Sequence, residues 1–389
     1  MKRNDSFCLT EIAGVPYLLP FGQMIADHKP GICLNETGIF LWELLAQDRS
    51  MEELVLLCAQ HYELNIYDGS EESLSFKSEI EDYVKEMYHY GYIADTSPEN
   101  ASVFISQYIS IGGICLKLVG PANAFSTKFN PYLTEDHTVC DQTICVFTHP
   151  PKIRQNGKVL LHNEELIIMD YHTETVDSYT ILFPTSKQLI EVHLKKDGSL
   201  ANFYCLSPFN EQLVEDIFHA IRLVFLYLAQ QKNIVAIHSA SILYRDNAWL
   251  FSASSGTGKS THTNLWNRLF DIPVINGDLN LIAFQDERPV IHGSPWCGTS
   301  GISNPNTYPL GGIILLKQAP TDHVIELAED QKQLQVMQRF ISPSWTEALL
   351  KQNCNFVSVL APQILICKLL CTKEDSAAIT MKEYIDKGF

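Results

Sequence analysis

Residues 248–270 read AWLFSASSGTGKSTHTNLWNRLF, and this stretch decides the fold of the C-terminal part of the chain. An apolar strand, AWLFS, precedes a loop rich in Gly and Ser, and a helical pattern follows the loop. The loop, ASSGTGKS at 253–260, matches the phosphate-binding pattern G-x-x-x-x-G-K-[ST] except that Ala253 stands at the first glycine. Strand, loop and helix in this order predict a phosphate site in an α/β domain.

The residue types in this loop suit the chemistry of a bound nucleotide. Gly256 and Gly258 permit the tight curl that turns backbone N–H groups toward phosphate oxygens. Lys259 brings a positive charge to the β and γ phosphates, and the Ser260 hydroxyl is placed to hold Mg²⁺. We therefore predict ATP and Mg²⁺ as ligands. The predicted nucleotide-binding residues are Ser254, Ser255, Gly256, Thr257, Gly258, Lys259, Ser260 and Thr261.

Two residues outside the loop are candidates for the same site. Asp278 ends the next predicted strand, where a carboxylate can coordinate Mg²⁺ or accept a proton from an attacking hydroxyl. Asn-Gly-Asp is also good turn chemistry. His238 lies upstream, and a lone histidine in apolar surroundings is more often a hydrogen-bonded core residue. The predicted catalytic residues are Asp278, His238 and Lys259, and the predicted metal ligands are Ser260 and Asp278.

Composition excludes several classes of protein. The chain has 389 residues, a formal charge of −17 and 46% hydrophobic residues, which excludes wholesale disorder and argues against partners such as nucleic acid or an anionic membrane. Its 11 cysteines include no CxxC pair and predict free thiols in a reducing compartment. No apolar run resembles a signal peptide or a membrane span, so we expect a cytoplasmic protein. The sequence leaves the oligomeric state open, a homo-oligomer included.

The acidic charge is concentrated at the N-terminal end. Positions 1–97 hold 6 basic and 17 acidic residues, against 22 and 28 in positions 98–389. A polar linker at 95–100 follows this acidic segment. We predict three segments: 1–97, with short strands and three helices; 101–234, rich in strands; and 235–389, the phosphate-loop domain. The fold class expected is mixed α/β.

Local signals mark several element boundaries. Asn35 and Ser50 predict helix N-caps, and a third helix is predicted at 78–90. Asn156-Gly157 and Asp197-Gly198 are dipeptides typical of hairpin turns. Ser207-Pro208 predicts the start of a helix that runs to about residue 232.

The segments IHSASILYRDNAWLFSASSGTGKST at 237–261 and VINGD at 274–278 resemble the core of HPr kinase/phosphorylase and of ATP-dependent phosphoenolpyruvate carboxykinase. The resemblance implies a kinase-type P-loop fold with a histidine upstream of the loop and an Asp-Asp pair downstream, matched here by His238 and by Asp278 alone. Because only one carboxylate is present where those families have two, the sequence leaves open whether Asp278 acts as a base or as a metal ligand. The later segment HGSPWCGTSGISNP at 292–305 resembles HPr-kinase-related proteins found beside peptide-modifying enzymes, and the resemblance marks Trp296 and Gly298 as candidate acceptor-binding residues. On sequence alone, the Pro-Trp segment is a turn packed on the core.

The N-terminal segment is similar to PqqD-like domains, which bind the leader segment of ribosomally made precursor peptides. The motifs are LNETGIFLWELL at 34–45, SMEELVLLCAQHY at 50–62, and a third helix that ends in HYGYI at 89–93. The resemblance implies a small winged-helix-like domain that captures a precursor peptide between an edge strand near 23–27 and the third helix. A scaffold that only docks on the kinase domain is the alternative. The implied peptide-binding residues are Gln23, Met24, Ile25, Tyr83 and Met87.

Together these features predict a peptide kinase. In this hypothesis the N-terminal domain holds a precursor peptide, and the C-terminal domain transfers the γ-phosphoryl group of ATP to a Ser or Thr hydroxyl of that peptide. Two alternatives remain: a kinase for a small molecule such as a free amino acid or sugar, and an ATP-sensing module without transfer activity.

Overall fold

The computed structural model describes residues 1–22, 25, 30–66, 70–94, 104–135, 140–151, 153, 155–206, 209–254 and 256–388. Contacts divide the chain into two compact units. The first is Met1–Ile105 with Gly120–Ala122, and the second is Ser106–Val119 with Asn123–Phe389. Within the described residues, no helix combines the length and the apolar character needed to cross a membrane.

The described part of the first unit contains short strands and the three helices named below around one apolar core. A three-stranded antiparallel sheet has the order β2-β3-β4, and β1 pairs with β5 in a second sheet. The helices pack their apolar faces into a core that includes Leu41, Leu54 and Val84, all fully buried. The elements are β1 Lys2–Arg3, β2 Phe7–Ile12, β3 Val15–Pro20, β4 Ile32–Cys33, α1 Glu36–Leu44, α2 Met51–His61, α3 Glu71–His89 and β5 Ile93–Ala94.

The helix starts in this unit follow side-chain capping. Asn35 accepts a hydrogen bond from the N–H of Gly38 at 2.8 Å, and Ser50 accepts one from that of Glu53 at 3.1 Å, which confirms both predicted N-caps. The third helix begins earlier than the predicted 78–90, because Ser70 caps it and adds two polar turns.

An eight-stranded sheet of mixed direction follows along the chain. Its order is β6-β7-β8-β13-β12-β11-β10-β9, with β8 parallel to both of its neighbours, β7 and β13. The strands are β6 Phe104–Ile111, β7 Ile114–Pro121, β8 Gln142–Phe147, β9 Lys158–His162, β10 Ile167–His172, β11 Asp177–Leu182, β12 Leu189–Lys195 and β13 Leu200–Cys205.

Two predictions for this part of the chain are wrong. Asn156-Gly157 does not turn a hairpin, because β8 pairs with β7 and β13 rather than with β9. Gly157 instead lies so close to the backbone of Asp170 that a Cβ would overlap its carbonyl oxygen. The helix predicted from Ser207-Pro208 begins at Glu211, because Asn210 is its N-cap, and Ser207 and Pro208 lie outside the described residues. Asp197-Gly198 does turn the β12–β13 hairpin, with Gly198 at φ 76°.

The rest of the second unit is built on a second large sheet. Its order is β14-β18-β19-β20-β16-β15-β17, with β22 added beside β20 and β21 beside β22. The elements are α4 Glu211–Gln231, β14 Val235–His238, β15 Ala240–Tyr244, β16 Asn247–Ser252, α5 Lys259–Phe270, β17 Val274–Asn276, β18 Leu279–Gln285, β19 Arg288–His292, β20 Thr307–Gln318, β21 His323–Glu326, α6 Glu329–Met337, α7 Glu347–Leu360, β22 Leu365–Cys371 and α8 Asp375–Asp386.

Helices cover both faces of this sheet, which accounts for its nearly continuous apolar strands. Successive residues of a strand point to opposite faces. Phe251 of β16 packs with α5 and α8, whereas its neighbour Leu250 packs with α6 and α7. The three central strands β16, β20 and β22 are parallel, so their carboxyl ends lie at one edge of the sheet. The mixed α/β class is confirmed.

Candidate active site

The phosphate-binding loop joins β16 to α5 at that edge. Its two glycines adopt positive φ, 74° at Gly256 and 113° at Gly258, as a tight curl of this kind requires. Gly258 is the N-cap position of α5, so the positive end of the helix dipole faces the loop. Ala253 is fully buried under the loop. Ser255 lies outside the described residues.

Three predicted residues form a hydrogen-bonded chain beside this loop. The Nζ of Lys259 lies 2.6 Å from Nε2 of His238, and Nδ1 of His238 lies 3.1 Å from Oδ1 of Asp278. An ammonium group only donates, so Nε2 accepts and the ring proton on Nδ1 is donated to Asp278. A neutral imidazole therefore connects the loop lysine to the carboxylate.

Backbone hydrogen bonds fix the positions of His238 and Asp278. His238 ends β14, Leu279 opens the adjacent strand β18, and the two residues are paired in register. The N–H of Ser239 donates to the carbonyl oxygen of Asp278 at 2.9 Å. Asn276 accepts from the N–H groups of both Asp278 and Leu279, at 2.8 and 3.0 Å, which shapes the turn that carries the carboxylate.

A buried polar network supports this turn from below. Its members, all fully buried, are Ser239, Ser241, Asn276, Asn280 and Ser294. Asn280 donates to Ser239 and accepts from the hydroxyl of Ser241 at 2.7 Å, and the side-chain amide of Asn276 donates to the carbonyl of Ser294. Because these polar groups are satisfied by one another, the network holds the Asp278 turn in one geometry.

The electrostatics of the site keep Asp278 ionised. Burial alone would raise the pKa of Asp278, but the hydrogen bond from His238 and the positive charges of Lys259 and Arg222 lower it below its usual value. Burial lowers the pKa of Lys259, Asp278 opposes this shift and the charge of Arg339 adds to it. The site therefore combines an anionic carboxylate with a partly desolvated lysine.

Arg339 also contacts the loop. Its guanidinium donates to the hydroxyl of Ser254 at 3.2 Å, and its carbonyl accepts from the N–H of His238 at 2.9 Å. It borders a cavity of about 460 Å³ next to the loop. The other polar side chains on this cavity are Ser254, Thr257, Lys317, Gln318, Gln335 and Lys368.

The two predicted acceptor-binding residues have different environments. Trp296 is 1% exposed and its indole N–H donates to the carbonyl of Phe218, so its side chain belongs to the core rather than to an acceptor surface. Gly298, at φ 60°, packs on Asp278: a Cβ there would lie 2.9 Å from the Asp278 Cβ. Gly298 thus packs directly against the candidate catalytic carboxylate. Arg222 of α4, which sequence reasoning missed, also acts on Asp278 through its charge.

The residues present fit a Mg²⁺ ion that arrives with a nucleotide. Ser260 is exposed in the first turn of α5, and Asp278 supplies one anionic carboxylate. Magnesium is usually held by one or two carboxylates, by waters and by substrate phosphates rather than by an all-protein cage. The described part of the chain contains no cluster of three or more His, Cys, Asp or Glu side chains arranged to hold a metal.

The predicted peptide-binding residues lie in the first unit. Gln23 and Met24 fall outside the described residues, whereas Ile25 is 61% exposed. Tyr83 of α3 is partly exposed. Met87 is 2% exposed within the core, so its burial removes it from a peptide-binding surface.

Comparisons with known proteins leave the family open. No protein-family model matches the chain, and no curated protein matches it. Among solved structures, a similar chain is the HPr(Ser) kinase/phosphatase from Coxiella burnetii, with 9% sequence identity and a TM-score of 0.24. The match covers 39% of this chain and 97% of that chain.

Proposed function

We propose that the chain is an ATP-dependent kinase that phosphorylates a Ser or Thr hydroxyl of a ribosomally made precursor peptide. The observation that carries this proposal is the chain Lys259–His238–Asp278, which joins the phosphate-binding loop to an ionised carboxylate. An ionised carboxylate beside the loop can take the proton of an attacking hydroxyl, a step that phosphoryl transfer requires and nucleotide binding alone does not.

In the proposed reaction each loop residue has a defined role. The backbone N–H groups at 256–260 and the ammonium of Lys259 hold the triphosphate. Mg²⁺, held by Ser260 and Asp278, would neutralise charge on the phosphates. The acceptor oxygen forms a bond to the γ phosphorus, the bond from that phosphorus to the bridging oxygen breaks, and ADP leaves. Arg339, which borders the cavity next to the loop, would stabilise the phosphoryl group in transit through its positive charge.

The hydrogen-bond pattern favours Asp278 over His238 as the base that takes the hydroxyl proton. The lone pair of His238 on Nε2 already accepts from Lys259, and its Nδ1 carries a proton. An ionised carboxylate has several lone pairs, so Asp278 can accept from His238 and from the acceptor hydroxyl together. His238 then acts as a positioning residue.

The acidic first unit is proposed to capture the precursor peptide. Its β2-β3-β4 sheet has edge strands that a bound strand can extend. Tethering the peptide raises the effective concentration of the acceptor segment, which allows a permissive active site. The net excess of acidic residues in 1–97 favours a leader with basic residues.

One experiment tests both parts of this proposal. The full chain is incubated with ATP, Mg²⁺ and synthetic precursor peptides encoded near its gene, and the products are analysed by mass spectrometry. We expect a gain of about 80 Da, one phosphoryl group, on a Ser or Thr. The same assay with residues 1–97 deleted separates the alternatives: a peptide kinase loses kcat/KM, whereas a small-molecule kinase keeps it. ATP binding without transfer to any acceptor would support the sensing module instead.

A further inference from the structure

Three cationic side chains border the cavity beside the phosphate-binding loop. Lys317 is near the end of β20, Lys368 lies in the middle of β22, and Arg339 follows α6, so three separate elements bring them to one cavity. The cavity has a volume of about 460 Å³, which is within the range of small-ligand pockets. Residues of the loop form another part of its wall. The positive charge therefore lies directly beside the proposed nucleotide site.

Lys368 is an unusual residue for its position in the sheet. It is the one charged residue of β22, LICKLLC, where apolar residues flank it on both sides, and it is partly buried. Strand register pairs it with Leu315 of β20, two residues before Lys317. Because paired residues share a face and alternate residues of a strand point the same way, Lys317 and Lys368 lie on one face of the sheet. A partly buried charge in such surroundings costs stability, which a bound anion would offset.

The protein supplies no counter-charge for these three cations. No acidic side chain is among the described residues that border the cavity. In the described part of the chain, none of the three cations has a carboxylate oxygen within 4.0 Å. One N–H group of Arg339 donates to Ser254, whereas its Nε is buried and has no hydrogen-bond partner among the described residues. Three positive charges thus remain unpaired at one place in a chain whose net charge is −17.

Arg339 connects this cavity to the candidate catalytic residues. Its carbonyl oxygen accepts from the N–H of His238 at 2.9 Å, and Nδ1 of His238 lies 3.1 Å from Oδ1 of Asp278. An acceptor that presents its hydroxyl to Asp278 can therefore place a neighbouring residue in the cavity. In the proposed mechanism the loop amides and Lys259 hold the triphosphate, so Lys317 and Lys368 are available to a second anion.

We infer that the cavity binds acidic side chains next to the reacting Ser or Thr of the acceptor peptide. This inference rests on the proposed kinase function and names its substrate class, a peptide whose acceptor segment is acidic. Lys and Arg side chains form charge-assisted hydrogen bonds with carboxylates, and these bonds are stronger than neutral ones. The acidic first unit is proposed to attract basic residues of the leader, so the leader and the acceptor segment of the precursor would carry opposite charges.

The test compares transfer to matched peptides by the full chain. The probes are capped peptides in which two Glu, two Gln or two Lys residues flank one Ser, and kcat/KM is measured at fixed ionic strength. For wild type we expect kcat/KM to be about tenfold or more higher with the Glu than with the Gln peptide, mainly through KM, because hydrogen bonds to charged groups contribute more than neutral ones. Isothermal titration of ATP on the same preparations measures the effect of each substitution on the nucleotide.

The variants assign the preference to the cavity. Lys317→Gln and Lys368→Gln should each bring the Glu/Gln ratio of kcat/KM close to one, and Lys368→Arg should keep most of it. Replacement of both lysines by Glu should shift the preference toward the Lys peptide. Lys351→Gln is the control, because it removes the same charge from an exposed position on α7 and should leave the ratio unchanged. Lys317 is exposed, so its substitution keeps the test decisive even if a Lys368 variant fails to fold.

The outcomes separate this inference from the kinase proposal. A preference for the Glu peptide that the cavity variants lose and Lys351→Gln retains supports the inference. Transfer by wild type without a preference, or a preference that the cavity variants retain, overturns it and leaves the kinase function standing. An equal loss with all peptides in the cavity variants, together with weaker ATP binding, means that the cations serve the nucleotide and also overturns it. ATP binding by wild type with no transfer to any acceptor overturns both proposals.

Discussion

Gly298→Ala tests whether the position of Asp278 controls the reaction. An added Cβ would lie 2.9 Å from the Asp278 Cβ and 3.1 Å from its Cγ, whereas ordinary contacts begin at 3.4 Å. The carboxylate must therefore move by about half an ångström. A misplacement of about 1 Å at a reacting group can cost about 10²-fold in rate, so we expect roughly a tenfold loss of kcat.

The chain offers a closely matched control for this substitution. Gly301 lies in the same loop at φ 66°, close to the 60° of Gly298, but a Cβ there meets nothing within 4 Å. Alanine in the left-handed region costs about 1 kcal/mol at either position, so both variants should lose similar stability in thermal unfolding. Only Gly298→Ala should lose phosphoryl transfer, measured with radiolabelled ATP at saturating acceptor. Equal transfer rates in the two variants would refute the reasoning.

Three further predictions concern the loop and its surroundings. Arg339→Gln should lower kcat on the order of 10³-fold with a much smaller change in ATP affinity. Gln335→Ala, a substitution on the same cavity, should leave kcat nearly unchanged. Equal effects of the two substitutions on kcat would contradict a role for the guanidinium. His262 is buried and accepts from the indole N–H of Trp266, and burial lowers its pKa to about 4. In the unfolded chain His262 is protonated near pH 6.5, whereas in the folded chain it is protonated only near pH 4. The free energy of unfolding should therefore fall by about 3 kcal/mol as pH drops from 6.5 to 4. His262→Gln should flatten that part of the stability curve, measured by urea titration at each pH. Leader binding to the full chain should weaken with added salt in isothermal titration; an acidic leader bound equally well at high salt would show that the acidic charge serves only solubility.

Local sequence signals predicted the parts of the fold that depend on local interactions. The predicted caps at Asn35 and Ser50 agree with the structure, because capping acts within a few residues. The prediction of a hairpin turn at Asn156-Gly157 was wrong for the opposite reason. Strand β8 finds its partners far along the chain, and tertiary pairing overrode a good local turn dipeptide.

The candidate site shows the same division. The strand–loop–helix motif was readable because its residues are consecutive. The contact of His238 with Lys259 spans 21 residues and that of Arg339 with Ser254 spans 85, so spacing could not indicate either. Arg222 was missed because one arginine on an amphipathic helix looks like a solvated residue, and its charge acts on Asp278 only in the folded chain. Motif comparison did not indicate the burial of Met87, whereas the burial of Trp296 agrees with the sequence-based expectation of a Pro-Trp turn packed on the core.

The proposed kinase function is tested most directly by Asp278→Asn. ATP affinity of the variant and of wild type is measured by isothermal titration, and transfer to a precursor peptide is measured by mass spectrometry on the same preparations. The proposed mechanism predicts that wild type transfers a phosphoryl group and that the variant still binds ATP while its transfer rate falls by on the order of 10²-fold or more. Unchanged transfer in Asp278→Asn, or ATP binding by wild type without transfer to any acceptor, would contradict it.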